Sequence, residues 1–108
     1  MLMPTPGVDV VLRGSGIGVL MGAQLSVIDD EFAQSMGVEP GILVLRVPPG
    51  SPAADAGLKP GEVIRAVNGV PLRELTTLRG ALAVPGVREV RLTVSARGAQ
   101  PRIAVVRF

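Results

Sequence analysis

Short runs of apolar residues, many with a period of two, predict that most of the chain forms β-strands. Apolar side chains recur at every second position from Val19 to Leu25, which predicts one strand over that segment. Residues 42–47 are nearly all apolar, as expected for a strand that is buried on both faces. Further strands are predicted at residues 8–12, 62–67, 90–97 and 103–108.

Three segments between these strands carry helix signals. An aspartate at position 29 or 30 is placed to cap a short helix that ends at Gly37, because a carboxylate accepts the free N–H groups of a first turn. One face of this helix is predicted to carry Ile28, Phe32 and Met36, which follow one another at a spacing of four. A Ser-Pro pair at residues 51–52 is typical of the start of a second short helix, which Gly57 ends. Leucines at spacings of three and four predict a longer amphipathic helix over residues 74–83.

The order of these elements predicts a small, mostly β domain rather than a helix bundle. We expect five or six short strands in a partly open antiparallel barrel, flanked by two or three helices. The 14 glycines and 10 prolines fit such a fold, because short elements need many tight turns. Residues 1–12 are expected to form a lead-in with a short strand, and residues 13–108 a single domain.

The composition excludes several classes of functional site. The chain has no cysteine and no histidine, so it lacks disulfides, thiolate metal ligands and a Ser-His-Asp triad. We therefore expect no catalytic residues, no metal and no cofactor in this chain. The net charge is +2, the basic residues are scattered, and Trp and Tyr are absent, so nucleic acid is not an expected partner.

The sequence predicts no direct insertion into a membrane. No segment reaches the ~20 apolar residues that span a bilayer, and residues 1–12 lack the pattern of a secretory signal. The chain could nevertheless be a piece of a longer exported or anchored protein.

The most specific sequence signature lies in the centre of the chain. Residues 49–71 read PGSPAADAGLKPGEVIRAVNGVP, with a glycine-rich loop upstream and TTLRGAL downstream at residues 76–82. This order of motifs resembles the PDZ domains of bacterial HtrA/Deg serine proteases, and the resemblance extends over residues 13–108. The central block mainly identifies the fold, because its glycines serve turns and its apolar residues fill the core.

The resemblance implies that the loop Gly16-Ile17-Gly18-Val19 binds the C-terminal carboxylate of a partner chain. Backbone N–H groups of Ile17, Gly18 and Val19 would converge on the carboxylate. Ile17 and Val19 would line the socket for the last side chain of the ligand. Taken alone, the four residues also fit an ordinary flexible turn. Arg13 is a second candidate for contact with the carboxylate, although Ser15-Gly16 replaces the aromatic lead-in of the family.

The resemblance also implies a groove beside this loop. The peptide would add as an antiparallel strand along residues 19–23, in which Val19, Leu20 and Met21 are the expected peptide-binding residues. The other wall would be the helix at residues 74–83, through Leu75, Leu78, Arg79 and Leu82. Leu78 matches a core-facing position of the family, and Leu82 closes the pocket. An apolar Leu75 implies an apolar ligand residue two positions before the end, whereas Arg79 fits either a contact with ligand acids or a solvated position.

These features predict a non-catalytic peptide-binding module that regulates or selects substrates for an HtrA/Deg-like serine protease of the cell envelope or periplasm. Expected partners are C-terminal peptides with an apolar last residue, and unfolded or membrane-protein substrates. Alternative parent proteins are a site-2 metalloprotease, a C-terminal processing protease and a secretion component. A further alternative is an assembly module, a homo-oligomer in which the chain's own end at residues 105–108 occupies a neighbour's groove.

Overall fold

The computed structural model describes residues 17–108, so the strand predicted at residues 8–12, Arg13 and Gly16 lie outside the described residues. The described chain contains seven strands and three short helices. In chain order they are β1 (Ile17–Leu20), β2 (Ala23–Ile28), α1 (Asp30–Met36), β3 (Gly41–Arg46), α2 (Pro52–Asp55), β4 (Val63–Val67), β5 (Val70–Pro71), α3 (Leu75–Leu82), β6 (Glu89–Ser95) and β7 (Arg102–Arg107).

The strands form one antiparallel sheet that does not close into a barrel. The order across the sheet is β1-β2-β3-β4-β6-β7, and the short strand β5 pairs with β4. Within the described chain, β1 and β7 therefore stand at the two ends of the sheet. The prediction of a mostly β, partly open antiparallel fold with flanking helices is confirmed, with one strand more than the upper count expected.

The strand predicted over residues 19–25 is wrong, because the chain reverses direction in its middle. Met21 and Gly22 have φ angles of 57° and 78°, and Leu20 pairs with Ala23 across the turn. Two consecutive residues with positive φ form the tight turn whose twist suits a two-residue β-hairpin. A two-residue turn leaves much of the apolar alternation intact, so the sequence pattern did not show the break.

Apolar side chains fill both faces of the sheet, and different helices cover the two faces. The main core lies beneath α2 and α3, which contribute Ala53, Leu75 and Leu78. A smaller cluster beneath α1 consists of Ile28, Ala33, Leu43 and Val63. In β3, Ile42 and Leu43 belong to the two different clusters, which confirms the prediction that this strand is buried on both faces.

The predicted helix caps are present in the structure. The Asp29 carboxylate accepts a hydrogen bond from the Phe32 N–H at 2.8 Å, and Gly37 ends α1 with a φ of 73°. The Ser51 hydroxyl accepts a bond from the Ala54 N–H at 3.1 Å at the start of α2. On the apolar face predicted for α1, Met36 packs against the smaller cluster, whereas Phe32 is 50% exposed. The buried residue of this helix is Ala33.

Candidate functional site

Strand β1 offers backbone groups for pairing along one edge. It pairs with β2 in the register Ile17 to Ser26 through Leu20 to Ala23. No other strand among residues 17–108 pairs with its opposite edge. A strand at the end of a sheet presents N–H and C=O groups that another chain can pair with. The described part of the predicted loop thus lies in a strand whose outer edge is unpaired within residues 17–108.

The side chains of β1 point alternately to two different environments. A Cβ added at Gly18 would lie 3.0 Å from Leu75 Cδ1, and Leu20 packs against the main core. Because side chains of a strand alternate between faces, Gly18 and Leu20 face α3, while Ile17 and Val19 face away from it. The two residues expected to line the socket, Ile17 and Val19, therefore point away from α3. The residues that point toward α3 are their neighbours Gly18 and Leu20.

Helix α3 packs beside β1, and two of its leucines are buried. Leu75 is 9% exposed and contacts β1 above Gly18, whereas Leu78 is fully buried in the main core. Leu82 is partly buried against the same core. Leu75 therefore packs in the main core and lies beside Gly18 of β1, and Leu78 packs in the same core.

Arg79 extends the same wall on the solvent side. It follows Leu75 by four residues, which places both side chains on one side of a helix, one turn apart. Arg79 is exposed, and none of the ion pairs within residues 17–108 involves its guanidinium. Arg79 can therefore reach a charged group near the groove without breaking an ion pair of the described chain.

Met21 has a different role from the one predicted for it. Its residue lies in the β1–β2 turn, and its side chain is partly buried against the main core. The Met21 carbonyl accepts a hydrogen bond of 3.0 Å from the Ala53 N–H in the first turn of α2. This residue fixes the end of the hairpin rather than extending the edge strand.

Two clefts of about 390 Å³ each lie elsewhere on the molecule. Both are lined by Glu39 and Arg65, and neither includes a residue of β1 or α3. None of the three helices in residues 17–108 has the length and apolar character that a membrane span requires. The same residues contain no group of three or more metal-ligating side chains.

Comparison with known proteins finds a matching family model and several similar sequences. A family model described as PDZ domain matches residues 43–95. The chain is 34% identical over 77 residues to the putative serine protease HhoB of Synechocystis sp., covering 71% of this chain and 18% of that protein. It is 36% identical over 75 residues to the periplasmic pH-dependent serine endoprotease DegQ of Escherichia coli, covering 68% and 16%. The chain thus spans less than a fifth of the length of these relatives.

Solved structures show the same fold. The HtrA3 PDZ domain bound to a phage-derived ligand, FGRWV, matches with a TM-score of 0.68 and 27% identity, covering 84% of this chain and 85% of that one. The HtrA-type protease AlgW with a decapeptide matches with a TM-score of 0.62 and 25% identity, covering 93% and 31%. The first match extends over nearly the whole of both chains, so the likeness concerns a complete fold rather than a shared motif.

Proposed function

Because this chain contains a PDZ domain related to those of HtrA- and DegP-type serine proteases, we propose that it binds peptide segments by strand addition. The peptide pairs with the outer edge of β1 and lies beside α3. The observation that carries this proposal is the position of β1, at the end of the described sheet and in contact with the first residue of α3.

The proposed ligand is a C-terminal peptide with an apolar last residue, or an exposed apolar segment of an unfolded or membrane protein. Those N–H groups of Ile17, Gly18 and Val19 that point away from β2 bind the terminal carboxylate, because alternate N–H groups of a paired strand face its outer edge. Leu20, Leu75 and Leu82 supply apolar surface for the ligand side chain that faces α3. The peptide ligands of the HtrA3 and AlgW structures support this assignment.

The proposed role is regulation or substrate recognition within a larger protein. A PDZ domain is a non-catalytic module, and the relatives of this chain are serine proteases. We therefore place the domain in a trypsin-like serine protease of the cell envelope, in line with the periplasmic relative from E. coli. A site-2 metalloprotease, a C-terminal processing protease or a secretion component are the alternative parent proteins.

The structure gives no support to an assembly in which the chain's own end occupies a neighbour's groove. Val106 is fully buried and pairs with Val90 in the sheet. The Phe108 N–H donates a hydrogen bond of 3.0 Å to the Arg88 carbonyl. Releasing this segment would expose core residues and break the last pairing of the sheet, so the groove is proposed for a different chain.

Titration with paired peptides tests the proposed function. The probe is fluorescein-labelled FGRWV with a free C-terminus, compared with the same peptide ending in an amide. Charge-assisted hydrogen bonds contribute about 1.5–3 kcal/mol each, so the amide should bind at least about tenfold more weakly. Equal affinities of the two peptides would contradict carboxylate capture, and a scrambled peptide with a free terminus controls for non-specific attraction.

A further inference from the structure

Two neighbouring clefts lie on the face of the sheet that points away from α3. The first, the Gly37 cleft, is lined by residues that include Gly37 and Ser95, and the second, the Pro71 cleft, by residues that include Pro71 and Thr93. Thr93 and Ser95 alternate along β6 with residues of the main core, so they share the face opposite α3. They are two residues apart, about 7 Å along the strand, so a short extended chain can reach both clefts.

The two clefts share one loosely paired arginine. Both are lined by Arg65 and Glu39, whose Nη2 and Oε1 atoms lie 3.9 Å apart, too far for a hydrogen bond. The Glu39 side chain is 64% exposed. Water screens the charges of such a pair, so the pair adds little stability. The Arg65 guanidinium is therefore available to a carboxylate that approaches it more closely.

A residue of the Gly37 cleft carries a hydroxyl group that lacks a partner. The Ser95 Oγ atom is buried, and no hydrogen-bond partner for it lies among residues 17–108. Folded proteins leave few buried polar groups in this state, because each one costs free energy of desolvation. Serine has a single side-chain torsion, so its hydroxyl can turn toward an acceptor in the cleft. An anionic oxygen atom placed there would give both Ser95 and Arg65 a partner.

The charged residues around the two clefts are mostly basic. Among the described residues that line them, Glu39 is the one acid, whereas Arg65 and Arg73 are both bases. Arg73 pairs with Asp30 at 3.2 Å, and both of these side chains are exposed. The Arg97 side chain lies at the rim of the Gly37 cleft, 3.7 Å from a Cβ added at that glycine, and no ion pair within residues 17–108 involves it. This distribution of charge favours an acidic ligand.

The apolar part of the lining favours a polypeptide over a free anion. Small or apolar residues make up much of the remaining surface, namely Ala66, Pro71, Leu72, Ala96, Ala99 and Pro101. Inorganic phosphate has no apolar surface to bury against them, whereas an extended chain with small apolar side chains does. A second copy of this chain suits the site less well, because the chain carries a net charge of +2.

We propose that the two clefts form a second binding site, which takes an acidic, extended segment of a polypeptide. A carboxylate of this segment binds Arg65 in place of Glu39 and accepts a hydrogen bond from the Ser95 hydroxyl. Small apolar residues beside the carboxylate pack on the alanines and prolines of the clefts. The site shares no residue with β1 or α3, so this inference does not rest on peptide binding at β1.

NMR titration with a pair of capped peptides tests this inference. The probe is the acetylated and amidated peptide AEAEA, and the control is AQAQA with the same caps, in which amides replace the carboxylates. Neither peptide has a terminal carboxylate, so neither offers the group that the β1 edge is proposed to bind. The backbone signals of Thr93 and Ser95 and the Nε–H signal of Arg65 should shift with AEAEA and remain in place with AQAQA.

Variants of the lining residues assign the contacts. Arg65→Gln should weaken AEAEA binding by at least about fivefold, because charge-assisted hydrogen bonds are the strong ones. The matched control is Arg91→Gln, which removes the same charge from the same face of β6 outside both clefts and should weaken binding by less than about twofold. Glu39→Gln should strengthen binding, because it removes the competing carboxylate. Ser95→Ala should weaken binding by about threefold without lowering the melting temperature, because the hydroxyl it removes lacks a partner among the described residues.

Several results would overturn the inference. Equal shifts with AEAEA and AQAQA would show that the carboxylates are not recognised, and equal effects of Arg65→Gln and Arg91→Gln would show attraction to charge alone. The same shifts with inorganic phosphate would indicate a site for a lone anion, and shifts that depend on protein concentration without peptide would indicate a second copy of the chain. Saturating FGRWV should leave the AEAEA affinity unchanged, and a failure of FGRWV to bind would contradict the proposed function alone.

Discussion

At the scale of single residues, Arg102 joins the last strand to the connection between α2 and β4. Its guanidinium donates to both carboxylate oxygens of Glu62, at 2.8 and 2.9 Å, and to the Gly57 carbonyl at 2.8 Å. Glu62 also accepts a bond of 2.8 Å from the Lys59 N–H, and its side chain is only 14% exposed. This arrangement satisfies a carboxylate that is mostly shielded from water.

We expect Arg102→Ala to destabilise the fold. The change leaves the shielded Glu62 carboxylate with only one hydrogen bond, and an unsatisfied buried group costs about 1–3 kcal/mol. The control is Arg107→Ala, which removes a side chain that is 79% exposed and lies 3.5 Å from Glu89. An exposed ion pair of this kind contributes about 0–1 kcal/mol. Urea denaturation measures the free energy of unfolding of both variants. Equal losses of stability would show that the Arg102 contacts contribute no more than an exposed ion pair.

Residue-level predictions from the sequence succeeded where the chemistry is local. Asp29 and Ser51 cap helices in the structure because a cap depends on the few residues that follow it. The direction in which the Val19 side chain points depends instead on long-range packing. It is set by which face of β1 is covered by α3, a helix far away in the sequence. Gly18 lies close to Leu75 because glycine has no side chain. A pattern of apolar side chains therefore cannot reveal this contact.

At the scale of elements, the turn of the β1–β2 hairpin packs against the start of α2. A Cβ added at Gly22 would lie 2.5 Å from the Ser51 Cβ, which is closer than side-chain carbon atoms approach in proteins. The Ala53 N–H donates to the Met21 carbonyl at the same place. The helix thereby supports the end of the strand to which the proposed ligand adds.

Gly22→Ala should therefore cost more stability than a comparable change in another tight turn. Gly22 has a φ of 78°, and Gly69 in the β4–β5 turn has a φ of 82° with no atom near an added Cβ. Left-handed backbone strain costs roughly 1–2 kcal/mol for either alanine. Only Gly22→Ala adds a clash with Ser51. Thermal unfolding of both variants measures the difference, and similar melting temperatures would contradict a close approach of hairpin and helix.

The sequence predicted the described helices and nearly all strands, and it failed at the hairpin. Residues 75–82 form a helix because leucine spacing and the flanking turns agree locally. The turn at Met21 and Gly22 lacks the Asn-Gly signal that marks the turn at Asn68 and Gly69. Residues other than glycine rarely adopt a positive φ, as Met21 does. The burial of Met21 against the core and the hydrogen bond from the Ala53 N–H compensate for the strain of this backbone conformation.

At the scale of the whole molecule, one sheet separates two helical layers, and the strands at its two ends differ in charge. One end is β7, which carries two arginines, while the other is the uncharged β1 beside α3. The segment that aligns with this chain makes up less than a fifth of each of these relatives. We propose that the binding edge belongs to a larger protein, in which the domain selects segments for another part of the chain.

Hydrogen exchange along the backbone tests the central claim, that peptides add to β1. The measurement follows amide exchange by NMR with and without the free-terminus peptide FGRWV. The β1 amides that point away from β2 should exchange quickly alone and become protected in the complex, because they acquire carbonyl partners. Amides of β7, at the other end of the described sheet, should remain unchanged and serve as the internal reference. Protection confined to β7, or binding without protection in β1, would contradict strand addition at this edge.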